Sequence, residues 1–380
     1  MKSSFHKFIE TTADVIRLYI RTRYVRNPGS AAITTGLTIL TLLLGVNFAG
    51  KMWVHLTWLQ VDATANTQST PPVWESSFFG VALFLIVAGT LWLFHCAHRQ
   101  NKRDDEENDR KVVLCVQFDA YNEVIPALLT AAVSTEVKGK RMPILIQKRD
   151  ALVGGHGIQD VANEVMHIKR SLLQHGSGRD LNDITVCAGG IAPVPFLFML
   201  GNVLEDDRQI SWAEWERKRG QWLWSRDGTS VPTWSIPTLD AIQTSDVVLR
   251  SGITYPIAAE DVSKAFPSHD VVVWEPKENL FQVVFDEASC IAICDEFKNL
   301  LRLLSSKGVK RVHFLLACST ALTMRLGSVL DPRNMPDVIV YQYEKSSDLV
   351  YIWGLGIQSH EGKKSPIFID RRNTDSVDFN

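Results

Sequence analysis

Two kinds of apolar pattern divide the chain near residue 112. Ahead of that point the apolar residues gather in two long runs without charge, Asn27 to Gly50 and Ser76 to His98, bounded by Arg26 and Lys51 and by Glu75 and Arg99. As a helix the first run covers roughly 36 Å, enough to cross a hydrocarbon core. Trp53, Trp58, Trp74 and Trp92 sit at or near their ends, as an interfacial aromatic belt requires. The pattern predicts two transmembrane helices, 27–50 and 76–98. A cleaved signal peptide fits less well, because the first run is too long for its apolar region and the second would still anchor the chain.

Beyond residue 112 the apolar residues come in short β-branched bursts separated by helical stretches. VVLCVQF (112–118), PILIQ (143–147) and ITVCAGG (184–190) read as strands. Stretches 122–133 and 157–175 and one ending at Leu204 read as helices, followed by an aromatic-rich pair near 210–225. Continuous apolar strands alternating with helices predict parallel sheets covered on both faces.

Charge orients the two runs. Lys2, Lys7, Arg17, Arg21, Arg23 and Arg26 precede the first, and Arg99, Lys102, Arg103, Arg110 and Lys111 follow the second, whereas the connecting loop holds only Lys51. The positive-inside rule then places both termini in the cytoplasm, with a short external loop carrying Ser69, Thr70, Pro71 and Pro72. Residues 1–26 form an N-terminal cytoplasmic helix in this reading, either lying in the inner interface or free of it. The mixed-charge stretch 99–111 reads as a solvated hinge. Net charge −2 with 22% charged residues excludes a basic nucleic-acid-coating protein and an acidic disordered chain. Cys96 falls at the inner end of the second run and the other five cysteines in the body, where thiols stay reduced. Cys290 and Cys294 are four apart with no His or Cys partner pair at ligand spacing, so they read as a core face and no metal site is expected.

The body repeats itself. Helix 157–176 has a counterpart at 289–308, and strand 184–190 one at 312–318. Leu200-Gly201-Asn202-Val203-Leu204 matches Leu326-Gly327-Ser328-Val329-Leu330, and Trp215-Glu216-Arg217 matches Tyr343-Glu344-Lys345. The offsets are 126 and 128 residues, which points to duplication, with halves at about 112–230 and 265–360. Paired Rossmann-like halves make a cleft at the carboxyl ends of their strands, the usual ligand position in open α/β sheets.

The run KRVHFLLACSTALTMRLGSVLDPRNMPDVIVYQYEKSSDLVYIWGLGI (310–357) resembles the carboxyl-terminal half of SAVED domains, with the likeness extending topologically back to residue 112. A two-span hairpin ahead of it is similar to the membrane-spanning SAVED effectors of bacterial anti-phage systems (CBASS). The resemblance implies a sensor over 112–380 built of two CARF-like halves. It also implies a cyclic oligonucleotide ligand, commonly a trinucleotide, made by a partner nucleotidyltransferase. Self-association on ligand binding and damage to the bacterial inner membrane are the implied output. The sequence holds no GxSxG elbow, no HExxH, no paired-CxxC zinc site and no P-loop, so no catalytic residue, no cofactor and no DNA partner is expected. The rival readings are a membrane-tethered nucleotide-processing enzyme and a ligand-controlled membrane adaptor.

A cyclic oligonucleotide needs N–H groups at helix starts, a few cations and aromatic faces. Strand ends at Phe118, Gly189, Gly190 and Ser319, with Thr320, precede helices; Lys148, Arg149 and Lys277 follow strands; Tyr121 and Trp274 offer faces for stacking. Residues 112–380 hold 28 Lys and Arg against 33 Asp and Glu, so recognition has to come from a focused pocket. Glycines 189 and 190 serve equally as turn residues, and Ser319 and Thr320 as helix caps. Gly154-Gly155-His156-Gly157 lacks the Lys and Ser/Thr of a phosphate-binding loop, and Trp212, Trp215, Trp222 and Trp224 suit hairpin or subunit packing.

Overall fold

The computed structural model describes residues 32–37, 73–121, 127–148, 157–204, 210–225, 232–235, 237, 239–240, 242–277, 286–331, 333–345, 349–357 and 367–371. It divides into two units, 1–106 and 107–380.

The first unit contains a short helix α1 (residues 32–37) and most of a long helix α2 (Val73–Arg110). Helix α2 has 38 residues, about 57 Å of helix. Its part from Gly80 onward is long and apolar enough to cross a membrane, and Phe84, Leu91, Trp92 and Phe94 leave their side chains uncovered. Gly36 packs so closely on this helix that a Cβ there would lie 2.7 Å from the Ala82 carbonyl oxygen. The expected second run, 76–98, therefore lies inside one helix. Of the expected first run only 32–37 is described, and the expected 1–26 helix lies outside the described residues.

The stretch 99–111, expected to be a hinge, is instead helical as far as Arg110. The reason is local pairing. Glu107 accepts from Lys111 one turn later and from Lys138 at 2.8 Å, Asn108 Oδ1 accepts from the Gly139 N–H at 3.0 Å, and Arg110 pairs with the mostly buried Asp183 at 3.0 Å. These bonds hold the last turn in the helical path right up to the first strand.

The second unit holds two sheets. The first runs β2-β1-β3-β4-β5, formed by β1 (Val112–Asp119), β2 (Lys140–Gln147), β3 (Ile184–Ile191), β4 (Ile210–Glu216) and β5 (Gln221–Trp224), parallel except for β5. The second runs β11-β10-β9-β8-β6-β7. Its strands are β6 (Asp246–Gly252), β7 (Asp270–Val273), β8 (Arg311–Ala317), β9 (Asp337–Gln342), β10 (Trp353–Ile357) and β11 (Ile367–Asp370), antiparallel only at β10 and β11. The second half thus begins at Asp246, ahead of the expected boundary at 265, and ends at a strand beyond 360. Read from β7, the second sheet runs β7-β6-β8-β9-β10 and matches β2-β1-β3-β4-β5 in order and sense, with β11 as an added strand. Register matches too: Val186 pairs with Ile210 in the first sheet, and Val312 pairs with Val338 in the second. Those pairs are separated by the 126 and 128 residues read from the sequence.

Helices between the strands are α3 (Leu129–Ala132), α4 (Ile158–Gly176), α5 (Val194–Leu204), α6 (Ala259–Ala265), α7 (Glu287–Ser306) and α8 (Thr320–Ser328). Helix α7 shows why they form. Asp286 caps it by accepting from Ser289 N at 2.8 Å, and Cys290, Ile293, Cys294, Phe297, Leu300, Leu301 and Leu304 make one buried face at helical spacing. Helix α5 is buried almost all round, because it is pressed between its own half and the other. It crosses α8 where the two matching phrases meet. A Cβ on Gly201 would lie 2.6 Å from the Met324 carbonyl carbon, and one on Gly327 would lie 2.8 Å from that of Phe198. Phe198 also sets its ring edge against Phe314 of β8 and Phe297 of α7, so both halves share one core.

Candidate functional site

Helices α5 and α8 begin where β3 and β8 end, so the carboxyl edges of both sheets meet around two helix starts. Each start is closed by a side chain from the opposite half. At α8, Glu214 of β4 accepts from Thr320 N at 3.2 Å with one oxygen and from Ala321 N at 2.9 Å with the other. At α5, Gln342 of β9 accepts from Val194 N at 3.0 Å. The two ties are equivalents in the duplication: Val194 and Thr320 are 126 residues apart, and Glu214 and Gln342 are 128 apart. Burial pushes the Glu214 carboxyl above its usual range, and the two backbone bonds oppose that.

Beside Gln342 stands Tyr121, just past the end of β1. Partial burial raises the Tyr121 hydroxyl, opposed by the nearby Arg217 and by its hydrogen bond to Gln342. Glu344 is held by the indole of Trp353, whose Nε1 donates to it at 2.6 Å. Tyr121 is 37% exposed, Tyr255 beyond β6 55% and Tyr343 beyond β9 46%, so three tyrosine side chains are open at strand carboxyl ends. Arg250, on β6, pairs with Glu275 at 3.2 Å.

The expected site residues separate into groups. Tyr121 lies at the carboxyl edge with an open face. Ser319 is the cap of α8, its Oγ accepting from Leu322 N at 3.4 Å, and Thr320 gives its N–H to Glu214. Lys148 follows β2 and pairs with Glu164 at 2.7 Å. Lys277 is exposed, its N–H donating to the Thr233 carbonyl at 2.8 Å. Arg149 and the glycines 154 and 155 with His156 lie outside the described residues.

Three expectations are corrected. Trp274 is fully buried with its ring stacked on Trp234 at 4.6 Å and on Phe297 at 5.4 Å, so both faces are already covered. Phe118 is buried in the core against Phe196. Gly189 and Gly190 lie within β3 and are not turn residues. A Cβ on the first would meet the Trp222 ring at 2.8 Å, and one on the second would run into the Phe118 backbone.

Other readings find their place. Trp222 and Trp224 donate to the Ala127 and Ala132 carbonyls at 2.9 and 3.2 Å, so the tryptophan hairpin packs on the α3 segment. Tyr341 faces inward, bonded to His313 at 3.0 Å, while Tyr343 faces out. Cys290 and Cys294 are buried in the core, their thiols pushed up to about 11 and about 12 by burial. Among the described residues, no cluster of three or more His, Cys, Asp or Glu is placed to hold a metal.

Sequence reasoning missed Glu214, Gln342 and Arg217 as contributors to the cleft. The signal was present. The pairing of Trp215 with Tyr343 at the 128-residue offset also aligns Glu214 with Gln342, one position earlier.

Comparison with known proteins agrees with this architecture. The family described as SMODS-associated and fused to various effectors sensor domain (SAVED) matches residues 167–357, and the SAVED-fused 2TM effector domain matches residues 2–159. The two matches meet near the start of α4, whereas the first sheet runs across that boundary from β1 to β5. No curated protein matches. Among solved structures, the Acinetobacter baumannii Cap4 SAVED/CARF-domain containing receptor with the cyclic trinucleotide 2′3′3′-cAAA is similar at 12% identity and TM-score 0.42, covering 75% of this chain and 60% of that one. The same receptor with 3′3′3′-cAAA gives the same figures. The Moraxella osloensis Cap4 SAVED/CARF-domain containing receptor gives 12% identity and TM-score 0.39, covering 72% and 57%. The chain thus spans about 60% of the length of the first of these. The SAVED model covers half of the chain and the effector model the part ahead of it: this chain belongs to the SAVED family, and its amino-terminal part matches the SAVED-fused 2TM effector domain.

Proposed function

We propose that the chain is a signal-gated membrane effector of anti-phage defence. Its α/β body binds a cyclic oligonucleotide, a cyclic trinucleotide in the first instance, supplied by a partner nucleotidyltransferase. Binding drives self-association, and the gathered spans breach the bacterial inner membrane. Both termini face the cytoplasm, where the messenger is made. The protein acts by binding and not by catalysis.

The observation that carries this reading is the fusion of a SAVED sensor to a two-span effector domain in one chain. The cleft supports it physically. Open tyrosine faces suit base stacking, worth about 1–3 kcal/mol per base. Arg217 and Arg250 stand near the carboxyl edge although the body is acidic overall, which suits a focused anion pocket. The A. baumannii receptor was solved with cyclic trinucleotides, which makes them the first ligands to try.

The test uses the full chain in dye-loaded vesicles. Cyclic triadenylates are added at rising concentration while leakage and particle mass are followed together. Ligand-dependent leakage accompanied by a rise in mass is expected. Tight binding with sealed vesicles and unchanged mass would remove the effector reading and leave a membrane adaptor; turnover of the ligand would favour a tethered enzyme.

A further inference from the structure

The two cross-ties at the helix starts are equivalent in position and unequal in charge. Glu214 brings a carboxylate to α8, and Gln342 brings a neutral carboxamide to α5. We infer that Glu214 is a specificity-determining residue: an internal anion seated on the α8 start, with which the negative charge of an incoming ligand competes, while the Gln342 tie is indifferent to that charge. This rests on the cyclic-oligonucleotide reading above.

Donor geometry separates the ties. Thr320 and Ala321 present consecutive N–H groups, and one carboxylate takes both, an arrangement that suits any two-oxygen anion. The first helical residue of α5, Val194, offers an N–H, but the next is Pro195, which has none, and the N–H of Phe196 goes back to the Pro193 carbonyl. A single donor suits an amide oxygen and gives no particular advantage to an anion. The residue types therefore match the donors they meet: a charge where there are two, a neutral group where there is one.

Energy points the same way. A buried carboxylate is costly, and here two backbone N–H groups and the positive end of the helix offset that cost. Burial first, and then the negative charge of Glu214, push the thiol of the half-buried Cys318 up. An anionic ring entering the cleft meets a like charge at this helix start. Because Glu214 belongs to the first half and its donors to the second, displacing it also releases one of the two helix-start ties.

The experiment compares full-length wild type with Glu214→Gln, which gives α8 the neutral group that α5 already has. Calorimetric titration with a cyclic triadenylate is run on detergent-solubilised protein. Loss of one nearby like charge is expected to tighten binding by about tenfold. Equal or weaker binding by a variant that melts like wild type overturns the inference. Should that variant not fold, Glu214→Asp, which retracts the oxygens from the helix start, is judged by the reverse criterion: unchanged protection of the Thr320 and Ala321 amides from hydrogen exchange overturns the tie itself, and faster exchange supports it. If wild type binds no cyclic oligonucleotide, the functional reading falls separately. Inorganic phosphate then serves as the probe, and Glu214→Gln is expected to gain a phosphate-dependent rise in melting temperature that wild type lacks; no difference between the two overturns the inference.

Discussion

Gly201 and Gly327 occupy equivalent positions in the two halves and make the same contact in opposite directions, each against a backbone carbonyl of the other's helix, Met324 for the first and Phe198 for the second. The matching phrases that betray the duplication are therefore also its seam. Neither helix can carry a side chain there without moving backbone.

The first prediction follows from that contact. Gly201→Ala and Gly327→Ala each force α5 and α8 apart and cost about 3 kcal/mol or more, at the upper end of what overpacking exacts. Gly80→Ala, where an added Cβ meets nothing within 4 Å, leaves stability unchanged and serves as the control. Denaturant midpoints of the solubilised full chain decide; a seam variant as stable as the control would refute the close crossing.

Arg325 gives the second. Its guanidinium is 8% exposed and forks onto both oxygens of Glu287, with a further bond to Ser225 Oγ at 3.1 Å. The hydrogen bond from Arg325 holds the Glu287 carboxyl below its usual range, so the stability it lends is present above the ordinary carboxylate pKa and is lost as pH falls through the lowered one. Arg325→Ala is expected to lower stability by about 2–3 kcal/mol at neutral pH, discounted because Glu287 is half exposed. Arg325→Lys recovers only part of this, having lost the fork. Full recovery by lysine, measured as thermal melting, counts against the bidentate bond.

Acid stability gives the third. Burial first, then the neighbouring His269, Arg311 and Arg371, press the His313 pKa down to about 3. Unfolded histidine titrates near 6.5 and so holds more protons than the folded ring between those values. Stability is therefore complete above about 6.5 and declines as pH falls toward 3, by on the order of 4 kcal/mol for this group. In His313→Gln, which keeps a polar partner for Tyr341, the slope of unfolding free energy against pH flattens over that window. An unaltered slope excludes His313 as its source.

The fourth concerns ligand contact. Tyr121→Ala weakens cyclic trinucleotide binding by about 1–3 kcal/mol through loss of one stacking face, and Tyr121→Phe keeps most of it. Trp274→Phe leaves affinity within error and lowers the melting temperature, because that ring packs between Trp234 and Phe297. A fall in affinity for Trp274→Phe alone reverses the assignment.

Much of this protein is written in one dimension. Charge-free length announces the spans, because hydrocarbon tolerates little else. The offsets of 126 and 128 residues announced the repeat, and the sheets reproduce them in register at Val186–Ile210 and Val312–Val338. Side-chain destinations were less legible. Trp274, Gly189 and Gly190 looked like site residues because they stand near strand ends, yet whether a ring face or a glycine is open depends on what folds against it from tens of residues away. The charged stretch after the second span read as a hinge, since local sequence gives no sign that Lys138, Gly139 and Asp183 would fasten its last turn. Glu214 and Gln342 were missed for the same reason. Periodicity records which face of an element is buried; it does not record which distant backbone donor a carboxylate will reach once two halves close on each other.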